Sequence, residues 1–284
     1  MTSILITGGS GAFGQAFTHY LLSQPEPPKR LAILSRGEYR QFLMSQEIKS
    51  LDYTGCTRFF IGDVRDRDRL RRAFEGIDVV VHAAALKRIE VGNYNPNEVK
   101  KTNVDGAENV IEAAQDAGVK KVVALSSDKA FEPVSPYGLS KALAECLFLN
   151  ANNTRGWNGP LYAVCRYGNV WRSTGSVVPI WENFIERGQD TVPVTDPDCT
   201  RFFMRMDEAV KLVWDTIITM KGGELNIPRL PAYRLGDLAD AMKVKYKIIG
   251  LPDYEKKHES MARGNCSETA RRMTMKELDR ELAA

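Results

Sequence analysis

A glycine-rich turn directly after the first apolar run constrains the fold of this chain more than any other feature. Residues 3–7 form a predicted strand, and an amphipathic helix is predicted over residues 13–22. Glycines between them permit a tight turn and let backbone amides at a helix N-terminus approach a pyrophosphate. The strand–turn–helix context favours a dinucleotide cradle over an ordinary glycine-rich turn. The predicted cradle comprises Thr7, Gly8, Ser10, Gly11, Ala12, Phe13 and Gly14.

Further apolar runs alternate with helical stretches through the first half of the chain. Continuous apolar strands separated by helices indicate a parallel sheet covered on both faces, and right-handed crossovers give the doubly wound, Rossmann-type α/β fold. After about Tyr167 glycine and proline become frequent. We therefore predict an NADP-binding domain over residues 1–166 and a smaller, partly interleaved C-terminal substrate lobe over residues 167–284. The other predicted strands are 31–34, 59–61, 79–82 and 122–125, and the later helices are 178–187, 207–220 and 235–242, with a helix or frayed tail at 268–282.

Composition excludes several classes of function. The 284 residues include 39 Lys and Arg against 36 Asp and Glu, a formal net charge of +3 that gives no case for nucleic acid as the main partner. The five cysteines and three histidines are scattered, so neither a disulfide framework nor a metal site is predicted. No apolar run approaches the roughly 18 residues of a membrane span, and no signal-peptide pattern precedes the first strand. A soluble cytoplasmic protein is the expectation.

The end of the second predicted strand indicates which nicotinamide cofactor the fold binds. NAD-specific folds usually carry an acidic residue there, whereas this chain has Ser35 and Arg36, followed by Arg40. A hydroxyl and two guanidinium groups suit a 2′-phosphate, so we predict NADP, with solvated surface charges as the alternative. After the third strand, Asp63 could accept from the adenine amino group. The other predicted cofactor contacts after the third and fourth strands are Val64, Ala83, Ala84 and Ala85.

Acid–base groups follow the fifth predicted strand. The strand ends in Ser127, Asp128 and Lys129, and Tyr137 and Lys141 come shortly afterwards at a spacing of four residues. That spacing places both side chains on one face of a helix, where the ammonium should lower the pKa of the phenol towards the range of a general base. Together with a serine hydroxyl, they could take a proton from an alcohol as its carbon loses hydride. Chance spacing of a surface Tyr and Lys is the alternative.

The motifs together resemble those of the extended short-chain dehydrogenase/reductase superfamily. More narrowly, the chain resembles the 5-inverting UDP-N-acetylglucosamine 4,6-dehydratases of bacterial glycan synthesis. The similarity covers roughly residues 4–261, and the Asp128-Lys129 pair discriminates most, because retaining 4,6-dehydratases typically carry Asp-Glu there and 4-epimerases lack the pair. The matching segments are SRGEYRQ from Ser35, FFIGDVRD from Phe59, HAAALKRIE from His82, LSSDKA from Leu125, RYGNVWRSTGSVVP from Arg166, TRF from Thr200 and EKKHE from Glu255.

The resemblance implies roles for individual residues. It makes Tyr137 the base at C4 of the sugar, Lys141 its electrostatic partner and a ribose ligand, Lys129 the base at C5, and Asp128 the acid for the C6 hydroxyl. Ser127 would bind the C4 oxygen, and Asn103 would contact the cofactor. It also implies a UDP-sugar substrate and a homo-oligomer. The implied substrate contacts are Lys87, Asn169, Val177, Val178 and Arg201.

Three other functions stay open at the level of sequence. The chain could be a 4-epimerase, a 5-retaining or 5,6-dehydratase of the same fold, or a non-catalytic NADP(H) sensor that uses the fold to bind partners. The Asp128-Lys129 pair argues against a simple epimerase, and retention of Ser127, Tyr137 and Lys141 argues against a sensor. The segment from Leu251 to Lys257 departs from the PGEK-type loop of the family, and it leaves the identity of the sugar less secure than that of the cofactor.

Overall fold

A seven-stranded parallel sheet organises the chain. The structure is a computed structural model that describes residues 2–283. The strand order of the sheet is β3-β2-β1-β4-β5-β6-β9. The strands are β1 (Ser3–Thr7), β2 (Arg30–Ser35), β3 (Thr57–Ile61), β4 (Val79–His82), β5 (Lys121–Ser127), β6 (Leu161–Tyr167), β7 (Thr191–Val194), β8 (Thr200–Phe202), β9 (Leu225–Asn226), β10 (Ala232–Arg234), β11 (Lys245–Ile248), β12 (Ser260–Ala262) and β13 (Asn265–Cys266).

Helices cover both faces of the sheet. Two separate clusters of buried apolar residues, one around Phe17 and the other around Phe74, lie on its opposite sides. The predicted doubly wound α/β fold is therefore confirmed. The helices are α1 (Ala12–Leu22), α2 (Glu38–Glu47), α3 (Arg67–Phe74), α4 (Ile89–Tyr94), α5 (Pro96–Lys100), α6 (Gly106–Asp116), α7 (Pro136–Thr154), α8 (Val177–Glu186), α9 (Met206–Thr219), α10 (Leu235–Ala241) and α11 (Met275–Ala283).

The glycine-rich turn packs against its neighbours too closely for side chains. Gly8 adopts a φ of 67°, and a Cβ there would lie 2.8 Å from both the backbone nitrogen and the Cα of Ala84. A Cβ on Gly14 would lie 2.5 Å from the Cα of Gly9. The turn between β1 and α1 is therefore pressed against the segment that follows β4, which places the N-terminus of α1 at the carboxyl edge of the sheet.

Helix α7 begins beside the end of β5 for local reasons. Pro136 occupies the first turn, and the Ser135 side chain accepts a hydrogen bond of 3.1 Å from the Gly138 amide. A Cβ on Gly138 would lie only 2.5 Å from the Lys129 carbonyl oxygen. This close approach brings the first turn of α7, with Tyr137, against the short 3-10 turn Asp128–Ala130.

The second half of the chain contributes both to the sheet and to a separate core. Strand β9 pairs with β6 and α9 packs against α1, so both belong to the sheet layer. A third apolar cluster around Trp181 and Leu238 joins α8, β7, α10 and α11. The domain boundary near residue 166 stays a prediction. The prediction missed β6, although five consecutive apolar residues begin that strand, and it missed β9, which has only two residues.

The predicted C-terminal helix was wrong at its start. Helix α11 begins at Met275, whereas residues 268–270 form turns and a bend and Arg272 forms a β-bridge with Ala232. Across residues 2–283, no helix is long and apolar enough to cross a membrane. All five cysteines are free thiols. The same residues contain no cluster of three or more His, Cys, Asp or Glu that could hold a metal ion.

We predict that Gly14→Ala lowers the free energy of unfolding by about 1–3 kcal/mol, because its methyl group overlaps the Gly9 backbone and both segments are fixed by packing. Denaturant unfolding of the purified protein measures this. Gly156→Ala is the matched control, since a Cβ there meets no atom within 4 Å. Equal stability of the two variants would contradict the close packing of the turn.

Candidate active site

The predicted site residues gather along the carboxyl edge of the sheet. In a parallel sheet, the ends of β1, β2, β4 and β5 and the loops that follow them meet at one edge, which is where doubly wound folds bind ligands. The segments that follow these four strands contribute, in that order, the glycine-rich cradle, the arginines Arg36 and Arg40, the alanine segment and the acid–base turn. Residues separated by more than 100 positions along the chain are thereby brought to one edge of the sheet.

The N-terminus of α1 presents free backbone donors. Its N-cap, Gly11, supplies no side-chain hydrogen bond, and no acidic side chain lies in the first turn. The first intrahelical bond is donated by the Gln15 amide to the Gly11 carbonyl, which leaves the amides of Ala12, Phe13 and Gly14 without helical acceptors. Free amides at the positive end of a helix dipole fit a pyrophosphate. Phe13 itself stacks on Phe17, with ring centroids 5.6 Å apart.

Buried hydrogen bonds fix the end of β2. The Ser10 hydroxyl donates to the Ser35 hydroxyl at 2.8 Å, and the Gln41 amide donates to the same oxygen at 2.9 Å. Arg36 and Arg40 follow on the exposed side, where both side chains are accessible to solvent. The serine is thus held in place while the arginines remain accessible.

Asp63 is engaged by neighbouring arginines. Its carboxylate accepts from the Arg65 guanidinium at 2.7 Å and lies 3.8 Å from that of Arg36. Burial opposes its ionisation, yet the hydrogen bonds and charges of Arg65 and Arg36 hold the pKa of Asp63 below its ordinary value. Its contact with adenine stays a prediction. Val64 packs in the core, and its carbonyl accepts from Asn109 at 3.0 Å.

Asn103 ties the segment after β4 to the catalytic helix. It lies in the π-helical turn Lys101–Asp105, and its amide donates to the Leu86 carbonyl and to the Ser140 hydroxyl, both at 2.9 Å. Its side-chain oxygen accepts from the Leu86 amide at 2.8 Å. Both amide protons are therefore occupied within the protein. The predicted contact of Asn103 with the cofactor stays a prediction, and the structure gives it a positioning role. The alanines Ala83, Ala84 and Ala85 are half-buried beside it.

The turn after β5 holds a buried acid–base pair. Asp128 Oδ1 accepts from the Ser127 hydroxyl at 2.9 Å and from Lys129 Nζ at 3.0 Å. Asp128 Oδ2 is buried and has no hydrogen-bond partner among residues 2–283. Burial and the negative charge of Glu259 raise the pKa of Asp128 above its ordinary value, against the opposing effect of Lys129. A carboxyl group of this kind is suited to giving a proton.

Tyr137 and Lys141 both lie buried on α7, but their electrostatics differ from the expectation. Burial raises the pKa of Tyr137, with Ser127 and Lys129 favouring the phenolate and Asp128 opposing it. The expected lowering of its pKa is therefore wrong for the protein alone. Lys141 donates to the Leu125 carbonyl at 2.5 Å rather than to Tyr137. Burial lowers the pKa of Lys141 to about 8, although Glu145 acts in the opposite direction.

Sequence reasoning assigned no role to Glu259, which the structure places at the centre of the site. Its Oε1 atom lies 3.2 Å from Lys129 Nζ, and its Oε2 atom lies 3.0 Å from Lys256 Nζ. The side chain belongs to the EKKHE segment that resembled the family. Nothing in the sequence marks which charge in that segment is buried, because the contact joins residues 130 positions apart.

The predicted substrate contacts do not all face the same space. Asn169 accepts from Lys129 Nζ at 3.3 Å, and Arg201 is buried with a guanidinium nitrogen 3.4 Å from Glu255. Val177 and Val178 begin α8, where Val178 packs in the third core, and Lys87 is exposed in the loop after β4. Each substrate contact stays a prediction. A small cleft is lined by Ile89, Lys129, Val134, Ser135, Tyr254, Glu255, Lys256 and Glu259.

Two named relatives match most of the chain. The chain is 46% identical over 261 residues to a Campylobacter jejuni (strain 81-176) protein named UDP-N-acetylglucosamine 4,6-dehydratase (inverting), covering 91% of this chain and 77% of that protein. It is 38% identical over 267 residues to a Rickettsia canadensis protein named UDP-glucose 4-epimerase, with the same coverage of 91% and 77%. The relatives thus carry names from two reaction types.

Solved structures share the architecture. Pen from Bacillus thuringiensis superposes with a TM-score of 0.93 at 34% identity, covering 99% of this chain and 98% of that one. DesIV from Streptomyces venezuelae, a dTDP-glucose 4,6-dehydratase solved with NAD and TYD, gives a TM-score of 0.83 at 22% identity, covering 99% and 96%. The second likeness concerns the fold alone.

A family model confirms the assignment that the motifs indicated. The model described as polysaccharide biosynthesis protein matches residues 4–278, which include the cradle, the acid–base turn, α7 and the EKKHE segment. The chain belongs to this polysaccharide biosynthesis protein family, within the extended short-chain dehydrogenases/reductases.

Proposed function

We propose that the protein is a nucleotide-sugar 4,6-dehydratase that binds NADP and acts on UDP-N-acetylglucosamine with inversion at C5. The observation that carries the proposal is the buried Asp128–Lys129 pair, which lies beside Tyr137 at the end of β5. Dehydration across C5 and C6 needs both a base and an acid in addition to the alcohol-oxidising tyrosine. The similarity to a relative named as an inverting dehydratase supports the same reaction.

Each residue has a separate task in this scheme. Tyr137 takes the proton of the C4 hydroxyl, and Ser127 orients the same oxygen. Lys129 takes the C5 proton, which is acidic because it lies next to the C4 ketone, and Asp128 gives its proton to the C6 hydroxyl, which leaves as water. Lys141 would place a positive charge beside the cofactor ribose. We assign this proton to Asp128 Oδ2, the oxygen that has no hydrogen-bond partner among the described residues.

The residues at the carboxyl edge fit a nicotinamide dinucleotide. When bound, the cofactor would accept hydride from C4 and return it to C6, and a proton added at C5 would complete the product. The free amides at the N-terminus of α1 would bind its pyrophosphate, and Arg36 and Arg40 would bind a 2′-phosphate next to the fixed Ser35 hydroxyl. Structural neighbours were solved with NAD, so the preference for NADP depends on these two arginines.

A 4-epimerase is the second candidate, favoured by the rickettsial relative that carries this name. Epimerisation needs oxidation and reduction at C4 only, and it uses no acid at C6. A buried carboxyl with a raised pKa beside a lysine would have no task in that reaction. Assembly into a homo-oligomer and a cytoplasmic location stay predictions.

The reaction is tested by NMR of the purified protein with UDP-N-acetylglucosamine and no added reductant. We expect a 4-keto-6-deoxy product with inverted C5 configuration. Tyr137→Phe should lower its rate of formation by at least about 100-fold, the usual contribution of a general base, while cofactor affinity stays within about twofold. Tyr53→Phe, an exposed tyrosine, is the control. A UDP-N-acetylgalactosamine product would instead establish the epimerase.

Cofactor preference is tested by Arg36→Ala and Arg40→Ala. Because each guanidinium can form a charge-assisted hydrogen bond worth about 1.5–3 kcal/mol, we expect each variant to weaken NADP binding by about 10- to 100-fold and to leave NAD binding unchanged. Isothermal titration of both cofactors measures the difference. Arg58→Ala removes a similar exposed charge from β3 as a control. Equal losses for NAD and NADP would refute 2′-phosphate recognition.

A further inference from the structure

Glu259 is a buried carboxylate that the scheme above does not use. It directly precedes β12, it is 2% exposed, and it reaches the site from the C-terminal part of the chain. Its backbone is fixed on both sides: the Glu259 amide donates to the Ser267 hydroxyl at 2.9 Å, and the Ser267 amide donates to the Glu259 carbonyl at 2.7 Å. The carboxylate is therefore held at a defined place rather than on a free loop.

Positive charges surround this carboxylate. Lys129 and Lys256 approach its two oxygens at 3.2 Å and 3.0 Å, and the guanidinium of Arg201 adds a third positive charge. Burial opposes ionisation, but these three cations hold the pKa of Glu259 at about 2. Glu259 is consequently an anion throughout the range in which enzymes of this kind work.

Three oxygen atoms from different parts of the chain surround the side-chain nitrogen of Lys129. Its Nζ atom lies 3.0 Å from Asp128 Oδ1, 3.2 Å from Glu259 Oε1 and 3.3 Å from Asn169 Oδ1. Lys129 donates hydrogen bonds to Asp128 and Asn169, and the Glu259 carboxylate forms an ion pair with the same nitrogen from a third side. Of the three residues, Glu259 alone is a charged side chain from the C-terminal part of the chain.

We propose that Glu259 is a positioning residue for the dehydration step, whose fixed negative charge orients Lys129 and keeps one proton on the Asp128–Lys129 pair. The role of Glu259 in dehydration rests on the proposed function. In that reaction Asp128 gives a proton to the leaving hydroxyl while Lys129 takes one from C5, so the pair begins and ends with one proton. The pair is inactive when it has lost this proton and equally inactive when it has gained a second.

The charges that face the pair decide the pH range in which it holds one proton. The negative charge of Glu259 raises the pKa of both Asp128 and Lys129, whereas the positive charge of Arg201 opposes the effect on Lys129. Removal of the Glu259 charge should therefore lower both pKa values and move the whole active range to lower pH. The titratable and charged groups around the pair are Tyr137, Arg201, Tyr233, Glu255, Lys256 and Glu259.

The first test is the pH profile of kcat for Glu259→Gln. We expect both limbs to move to lower pH by on the order of one unit, the usual effect of one nearby charge. Glu259→Asp keeps the charge, so its limbs should stay in place even where kcat falls. Asp253→Asn removes an equal, exposed charge from the same segment and should not move the limbs. Unmoved limbs in an active Glu259→Gln variant would overturn the proposal.

The second test needs no turnover, which separates this inference from the proposed function. The side-chain nitrogen of Lys129 is followed by NMR in the full-length protein labelled with ¹⁵N-lysine, and its signal is assigned by its loss in Lys129→Arg. We expect Lys129 to lose its proton at a lower pH in Glu259→Gln than in the wild type or Glu259→Asp. Identical titration in all three proteins would refute the role of Glu259, even if the wild type dehydrates its substrate. A shifted titration without dehydration would keep that role and refute the proposed reaction.

Discussion

Burial of a parallel sheet on both faces is the constraint from which the rest of the molecule follows. Parallel strands need crossovers, and helices on both faces then exclude water from backbone groups that the ladder has already paired. Since every crossover returns the chain in the same direction, all carboxyl ends lie at one edge. The segments that follow β1, β2, β4 and β5 are thereby brought together, although they are far apart in sequence. The apolar strands determine where the chemistry takes place, although they take no part in it.

The site at this edge concentrates ionisable groups that burial alone would not tolerate. Asp128 and Glu259 are 1% and 2% exposed, and each isolated charge would be expensive to remove from water. They are stable there because Lys129 lies between them and Lys256 and Arg201 balance the cluster. A second buried ion pair joins Glu145 on α7 to the Arg166 guanidinium. Arg166 also donates a hydrogen bond of 2.6 Å to the Met261 carbonyl. Each of the buried carboxylates Glu145 and Glu259 therefore has at least one positively charged partner.

The features that sequence could predict are those encoded by neighbouring residues. The turn from Gly8 to Gly14, the five apolar strands and the spacing of Tyr137 and Lys141 each carry their information within a few positions. Strand β9 was missed because two residues are too short for any periodicity, whereas β6 was missed although five apolar residues begin it. The position of Glu259 depends on tertiary packing across most of the chain. The pKa of Tyr137 was mispredicted for the same reason, since spacing reveals a neighbouring lysine but not the depth of burial.

The pairing of β6 with β9 also bears on how the chain folds during synthesis. Val164 and Cys165 find their partners Leu225 and Asn226 only after some sixty intervening residues, including those of α8 and α9, have left the ribosome. Until then β6 is an edge strand with unpaired backbone groups, in a chain whose nucleotide cradle is already complete. Early occupation of that cradle by a dinucleotide would stabilise the nascent sheet while its last edge is still open, coupling cofactor supply to the yield of folded protein.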